Sequence, residues 1–279
     1  MSFSRGKLLF LQALVAVVGI ALWHIGAAVP LSRWGFVPQG LFETPLEKLY
    51  ALPKFFFSNP WDVTLRIWKW FSEGTIWVHL RITLTETVLA FVIGSLGGVI
   101  VGFWFARKPL VAAVFDPYVK MANALPRVVL APIFMLWLGL GIWSKVALGV
   151  TLVFFIVFFN VYQGVKDVSP VVLANARMLG MSERQLFRHV YWPSALLWMF
   201  SSLHTAVGFA LVGAVVGEYL GSAAGLSYLI QQAEGVFDVT GVFAGMIVLA
   251  LFVIVIDYGV TLIENRLLVW RPQSAAGQA

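Results

Sequence analysis

Hydrophobic and polar positions alternate along this chain on the scale of whole helices rather than of single residues. Apolar runs of about 20 residues, the length that carries an α-helix across a hydrocarbon core of about 30 Å, are separated by shorter polar stretches. Six runs qualify: Leu8 to Val29, Ile82 to Ala106, Tyr118 to Leu140, Trp143 to Val165, Ala195 to Gly217 and Val242 to Ile263. The pattern predicts an all-α protein, a polytopic membrane bundle of six transmembrane helices. Pro126 and Arg127 interrupt the start of the third run. The first follows Arg5 and Lys7 and ends in Gly26, Ala27 and Ala28, the outline of a signal peptide. Its apolar run of about 22 residues exceeds the roughly 7–15 of a signal h-region, so it is expected to be retained.

Composition changes the picture little but excludes much. Hydrophobic residues make up 60% of the 279 positions and charged residues 11%, against about 25% charged in a soluble domain. The formal charge of +6 invites a nucleic-acid reading, yet the basic residues are scattered between apolar runs and form no stripe. With no cysteine, disulfides, thiolate metal sites and cysteine nucleophiles are absent. The four histidines lie far apart and no His-Glu-x-x-His occurs, so no metal site is expected. No Gly-Lys-Ser or Gly-Lys-Thr is present, which rules out a P-loop and ATP bound by this chain. Gly139-Leu140-Gly141 lacks the third glycine and the strand of a dinucleotide site and reads as a turn.

Lys and Arg in short loops set orientation. With the N-terminus inside, the cytoplasmic segments hold Arg5 and Lys7; Arg107, Lys108, Lys120 and Arg127; Lys166, Arg177, Arg184 and Arg188; and Arg266 and Arg271. The short outer loops hold Lys145 alone. Both termini are thus expected in the cytoplasm. The outer stretch from Pro30 to Arg81 is too long for the rule. Within it Leu46, Leu49, Leu52 and Phe56 recur at helical spacing, and Trp61, Trp68, Trp70 and Trp77 follow, a pattern suited to interfacial helices or to packing on the spans.

Glycines recur every four residues at Gly94, Gly98 and Gly102, and again at Gly213, Gly217, Gly221 and Gly225. Such rows let helix backbones approach closely, where dispersion replaces the hydrophobic drive that lipid does not supply. Ionisable groups within spans are costly in lipid and are candidates for function. These are Glu86, His204, Glu218 and Asp257. Glu86 and Glu218 lie near the outer ends of their spans, where interfacial solvation is expected. His204, Glu218 and Asp257 are the candidates for a solute pathway, with His204 also suited to a local hydrogen bond and Asp257 to pairing with a neighbouring helix.

One loop is too polar to span and has a grammar of its own, from Lys166 to Trp192. Ser169 stands at an N-cap position with Pro170 at the first helical position, Val172, Ala176 and Leu179 form an apolar stripe, and Gly180 is a C-terminal stop. Ser182 and Gln185 then form a capping box, Leu186, Phe187 and Val190 supply an apolar side, and Pro193 marks entry to the next span. Two short amphipathic helices joined at a glycine make a knob suited to a groove on a soluble partner.

The same residues resemble the EAA loop of the inner-membrane components of binding-protein-dependent ABC importers. That pattern is Glu-Ala-Ala, three residues, Gly, nine residues, Ile, any residue, Leu-Pro. Here it reads Ala174-Asn175-Ala176, Arg177-Met178-Leu179, Gly180, then Val190-Tyr191-Trp192-Pro193, with every spacing kept. Ala174 stands where the family has its acid, Asn175 where it has Ala, and Trp192 where it has Leu. The likeness runs from about Leu80 to Trp270 and is similar to the nitrate, sulfonate and taurine branch. It is carried there by Asp116-Pro117, Leu125-Pro126, Pro132 followed by Trp137 to Gly141, Asn160, Gly217-Glu218, and Gly225 to Ile230. His204 replaces an arginine frequent in that branch.

The resemblance implies a non-catalytic permease subunit of a bacterial inner membrane, with a type I importer fold. Residues 1–81 are then an N-terminal helix and outer segment, 82–270 the permease core with its loop at 166–193, and 271–279 a cytoplasmic tail. The implied partners are a second copy of the chain, two cytoplasmic ATP-binding subunits holding ATP and Mg, a periplasmic substrate-binding protein and membrane lipid. The implied solute is small, with an anion such as a sulfonate or nitrate expected and heterocyclic or aromatic precursors also open, because selectivity in such systems resembles a property of the external binding protein. Ala174, Asn175, Ala176, Arg177, Leu179, Gly180, Val190 and Pro193 would dock on the ATPase. The rival readings are an ion-gradient-driven secondary transporter, which usually shows internal repeats and paired broken helices, and a non-transporting scaffold.

Overall fold

The structure, a computed structural model, describes residues 5–28 and 57–267 and is helical wherever it is regular. Its helices are α1 (Arg5–Ala28), α2 (Pro60–Ser72), α3 (Thr75–Arg107), α4 (Pro109–Ala124), α5 (Ala131–Leu138), α6 (Ile142–Lys166), α7 (Pro170–Met178), α8 (Glu183–Leu186), α9 (Trp192–Leu220), α10 (Leu226–Gly235) and α11 (Val239–Leu267). Four stretches among the described residues are long and apolar enough to cross a membrane: Thr75–Arg107, Ile142–Lys166, Trp198–Leu220 and Val239–Leu262. They coincide with four of the six predicted runs. In α1 the apolar stretch among the described residues, Phe10–Ile25, is shorter.

The predicted third span, Tyr118 to Leu140, is not one straight helix. Pro109–Ala124 and Arg127–Leu138 meet at 87°. Leu125, the residue before Pro126, is extended at φ −64° and ψ 133°, as the clash with a following proline ring demands. Arg127 then satisfies carbonyls freed at the break. Its guanidinium donates to Leu125 O at 2.7 Å, to Asn123 Oδ1 at 2.8 Å and to Asn123 O, and it stacks over the Phe155 ring at 4.9 Å.

The described residues fall into two compact units. In the first, residues 5–28, 57–76 and 229–249, Trp23 Nε1 donates to Phe57 O at 2.9 Å, Ser58 Oγ meets Thr240 Oγ1 at 2.8 Å and Arg66 pairs with Asp238 at 2.5 Å. Trp61 and Trp68 of α2 are exposed, as is Trp77. The predicted interfacial helix at Pro45 to Phe57 lies outside the described residues except for Phe57.

The second unit, residues 77–228 and 250–267, holds the core. Its central cluster joins Ala90 and Phe103 of α3, Val153, Val157, Val161 and Val165 of α6, and Ala195, Ala206 and Ala210 of α9. Small residues decide how these helices meet. A Cβ on Gly94 would lie 2.7 Å from Val153 Cβ, one on Gly98 would lie 2.8 Å from Phe154 O, and one on Gly102 would lie 2.9 Å from Phe158 O. Glycine rows therefore seat α3 directly on α6, with backbone against backbone. On the other side of α6, a Cβ on Gly213 would fall on the Gly149 backbone, and one on Gly217 would lie 2.6 Å from Lys145 Cγ.

Candidate functional site

The polar loop sits between the ends of α6 and α9, and its shape follows from local hydrogen bonding. Pro170 opens α7, though the Ser169 side chain makes no capping bond. Met181 N–H bonds Ala176 O at 3.1 Å and Gly180 N–H bonds Arg177 O at 2.9 Å, with Gly180 at φ +79°. These are the paired bonds of a Schellman motif, which needs a left-handed residue at that position. The chain turns at once into the next helix. Ser182 N–H donates to Gln185 Oε1 at 2.8 Å and Gln185 N–H to Ser182 Oγ at 3.4 Å, a complete capping box.

Pro193 lies in the first turn of α9, at the entry to the span, where its missing N–H is tolerated. A π-helical turn over Phe187–Tyr191, closed by Trp192 N–H to Phe187 O, takes up the register at which proline offers no donor, and α8 runs on into α9. The apolar stripe divides between core and surface. Ala176 is buried, whereas Leu179 is 80% and Met178 85% exposed, with Val171 and Val172 exposed beside them. Ala174, Asn175, Arg177 and Gly180 are likewise on the surface, while Val190 and Pro193 are half-buried.

What mounts this loop on the spans was not evident from spacing. Arg107, the last residue of α3, pairs with Glu183 at 2.6 Å and lies 5.2 Å above the Tyr191 ring. Phe103 contacts the rings of Phe187 at 5.4 Å and Trp192 at 5.5 Å. Ser194 Oγ donates to Gly164 O at 2.8 Å, and Trp198 lies against Gly164. Three span ends thus hold one loop through these contacts. The available signals were an acid in the first turn of α8 and a basic residue ending α3.

Inside the spans the ionisable groups separate into two places. His204 of α9 and Asp257 of α11 pair at 2.9 Å, with side chains 34% and 49% exposed. Glu218, by contrast, is 0% and Glu86 1% exposed, so the expected interfacial solvation of both is overturned. The turn after α9 folds back over them. Thr83 Oγ1 donates to Glu218 Oε1 at 2.5 Å and accepts from Leu226 N–H at 2.9 Å, and Ser227 N–H donates to Glu218 Oε2 at 2.8 Å. Gly225 N–H donates to His79 Nδ1 at 3.0 Å. Glu218 thereby caps α10, whose N-terminus favours a negative charge. Glu86 lies beside Glu218.

Lys145, expected in an outer loop, is 0% exposed in the first turn of α6. It donates to Leu140 O at 2.5 Å and Gly141 O at 3.1 Å, beside both carboxyl groups. Buried ions survive only when compensated by opposite charge and hydrogen bonds; Lys145 has two carbonyl acceptors and the carboxyl groups nearby, and Glu218 has the donors Thr83 and Ser227. Among the described residues no group of three His, Cys, Asp or Glu is placed to hold a metal ion.

Residues 94–269 match the family described as binding-protein-dependent transport system inner membrane component. Over 200 residues the chain is 36% identical to the formylaminopyrimidine transport permease protein ThiX of Halalkalibacterium halodurans, covering 72% of this chain and 80% of that protein. It is 30% identical over 258 residues to the putative aliphatic sulfonates transport permease protein SsuC of Bacillus subtilis, covering 92% of this chain and 86% of that one. In fold it is similar to a chain of the MetNI methionine ABC transporter solved in inward-facing conformations, with a TM-score of 0.55 at 17% identity, covering 68% of this chain and 93% of that chain.

Proposed function

Because the chain belongs to the family of binding-protein-dependent inner-membrane transport components, we propose that it acts as the membrane-spanning permease of an ATP-driven importer. Two copies surround a shared solute pathway. A periplasmic binding protein delivers the solute, and two cytoplasmic ATPases, which hold ATP and Mg, move the spans. Both termini and the loop between α6 and α9 face the cytoplasm. The relatives' names cover formylaminopyrimidine and aliphatic sulfonates, two chemically different solutes.

The observation that carries this reading is the mounted loop. It presents Val171, Met178 and Leu179 as an exposed apolar surface beside Arg177, which suits a groove on a soluble partner. Differential docking in the two ATPase states supplies the free energy that shifts the spans between inward-open and outward-open. Purification from native membranes is expected to bring down a stoichiometric ATPase. Gradient-driven uptake by this chain alone would overturn the reading.

Gly180→Val tests the loop. No atom lies within 4 Å of a Cβ at this position, so the change acts through the left-handed backbone, which disfavours a β-branched residue by roughly 1–2 kcal/mol. ATP-driven transport is expected to fall by about tenfold, the equivalent of about 1.4 kcal/mol of lost docking. Membrane level and basal ATPase activity of the complex should be unchanged. Transport at the unsubstituted rate would remove the loop from the coupling path.

A further inference from the structure

His204 and Asp257 do not fit a surface turned to lipid. From the start of the apolar stretch at Trp198, His204 lies about 9 Å in at about 1.5 Å per residue, and Asp257 lies about 8 Å in from Leu262 on the adjoining helix. The two positions agree in depth, and their side chains meet at 2.9 Å. Both side chains are nonetheless a third to a half exposed, which in hydrocarbon costs several kcal/mol. One helical turn deeper, Gly208 stands on the same face as His204, and nothing lies within 4 Å of the place its Cβ would take. A hydrogen-bonded acid and imidazole beside open space describe the wall of an aqueous path.

The charges elsewhere in the spans decide what that path selects. Lys145 is buried and donates to Leu140 O and Gly141 O. Arg127 is occupied by the carbonyls of Asn123 and Leu125 and by the Asn123 side chain. Arg81 stands near the end of α3 away from the loop. The half-exposed group at this depth is an acid, and a sulfonate or nitrate would meet it as a like charge.

We infer that the face of α9 and α11 bearing His204, Gly208 and Asp257 lines the solute pathway and receives a small neutral or cationic solute rich in N–H donors, such as an amino-substituted nitrogen heterocycle, rather than an oxyanion. Asp257 accepts from the solute, and His204 fixes the carboxylate's orientation. The inference rests on the permease reading and names the solute class of its pathway.

The chain contains no cysteine, so single thiols report directly. In the full importer in membrane vesicles, Gly208→Cys is expected to react with small membrane-impermeant thiosulfonate reagents. Leu251→Cys, an exposed position of α11 about 16 Å in from Leu262, close to the depth of Gly208 and on a different face from Asp257, is expected to stay unlabelled. Relative to their ratio toward a free thiol, the cationic reagent should outpace the anionic one at Gly208→Cys by about fivefold or more, as one nearby unit charge dictates. Adding Asp257→Asn should remove that preference while labelling persists. Absence of labelling at Gly208→Cys, equal labelling at Leu251→Cys, or a preference for the anionic reagent would each overturn the inference. Co-purification of the ATPase in the same preparation keeps the permease reading separately in view.

Discussion

Gly213→Val is expected to leave little of the chain folded in the membrane. The reason is the absence of anything to move. A Cβ at position 213 falls on Gly149 N and Cα, and Gly149 has no side chain to trim or rotate. Gly149 is itself held from the far side, since a Cβ there would lie 2.6 Å from Ala90 Cβ. Three helices, α3, α6 and α9, therefore meet through Ala90, Gly149, Ala210 and Gly213 with no slack between them. Overpacking costs about 1–3 kcal/mol when neighbours can shift. Here the neighbour is backbone, so Gly213→Ala should reach the upper part of that range and Gly213→Val pass it. Unfolding in detergent micelles measures the first, and the amount of membrane-inserted chain the second. Gly94→Ala is a useful contrast, because its Cβ meets the Val153 side chain, and pairing it with Val153→Ala should recover part of the loss. A stable Gly213→Val would mean that α6 and α9 are not held at this distance. On the proposed permease reading the consequence reaches function, because α6 and α9 carry the two ends of the polar loop and would transmit its movement only as a closely packed pair.

Features formed within a few residues were the most legible in the sequence. Gly180 and the Ser182–Gln185 box close hydrogen bonds over three to five positions, so their residue types carry the geometry with them. The apolar runs gave four membrane-crossing helices because backbone satisfaction in lipid leaves few other solutions. Leu125-Pro126 marked where the third run is interrupted, yet its 87° turn depends on Arg127 reaching back to the carbonyls of α4 and stacking on Phe155, a partner far along the chain. The acidic groups were the least legible. Thr83, Leu226 and Ser227 close over Glu218 through bonds between residues remote in sequence, and nothing local distinguishes a carboxylate at a solvated span end from one beneath a returning turn. Gly225, at φ +129°, held a clue in retrospect: a Cβ there would fall on the Glu218 carboxyl.

That buried cluster supports the second large effect. Glu218→Ala removes the acceptor of Thr83 Oγ1 and of Ser227 N–H together, and leaves Lys145 facing Glu86 alone. Breaking a buried charged group away from its partners costs about 3–5 kcal/mol, and the loss should appear in micelle unfolding. Lys145→Met should also be costly, because Leu140 O and Gly141 O lose their donor and two carboxyl groups are left without a cation. The cost is smallest at Glu86. Its Oε2 is buried with no hydrogen-bond partner among the described residues, so Glu86→Gln, which supplies an amide N–H beside Glu218, should cost the least of the three. Glu218→Gln combined with Lys145→Met should cost less than the sum of the two singles by about 0.5–3 kcal/mol, the coupling of groups in one network. Strict additivity would show that the lysine and the carboxyl groups do not act as a unit. Hydrogen exchange separates a local role from a global one: Glu218→Gln should raise exchange first at Leu226 and Ser227, where α10 loses its charged cap, before the α6–α9 pair opens. The cluster ties α3, α6, α9 and the start of α10 at the ends of the spans away from the docking loop. A lever gripped at one end does work only if the other end is held, so Lys145→Met should slow transport even with every residue of the docking loop in place.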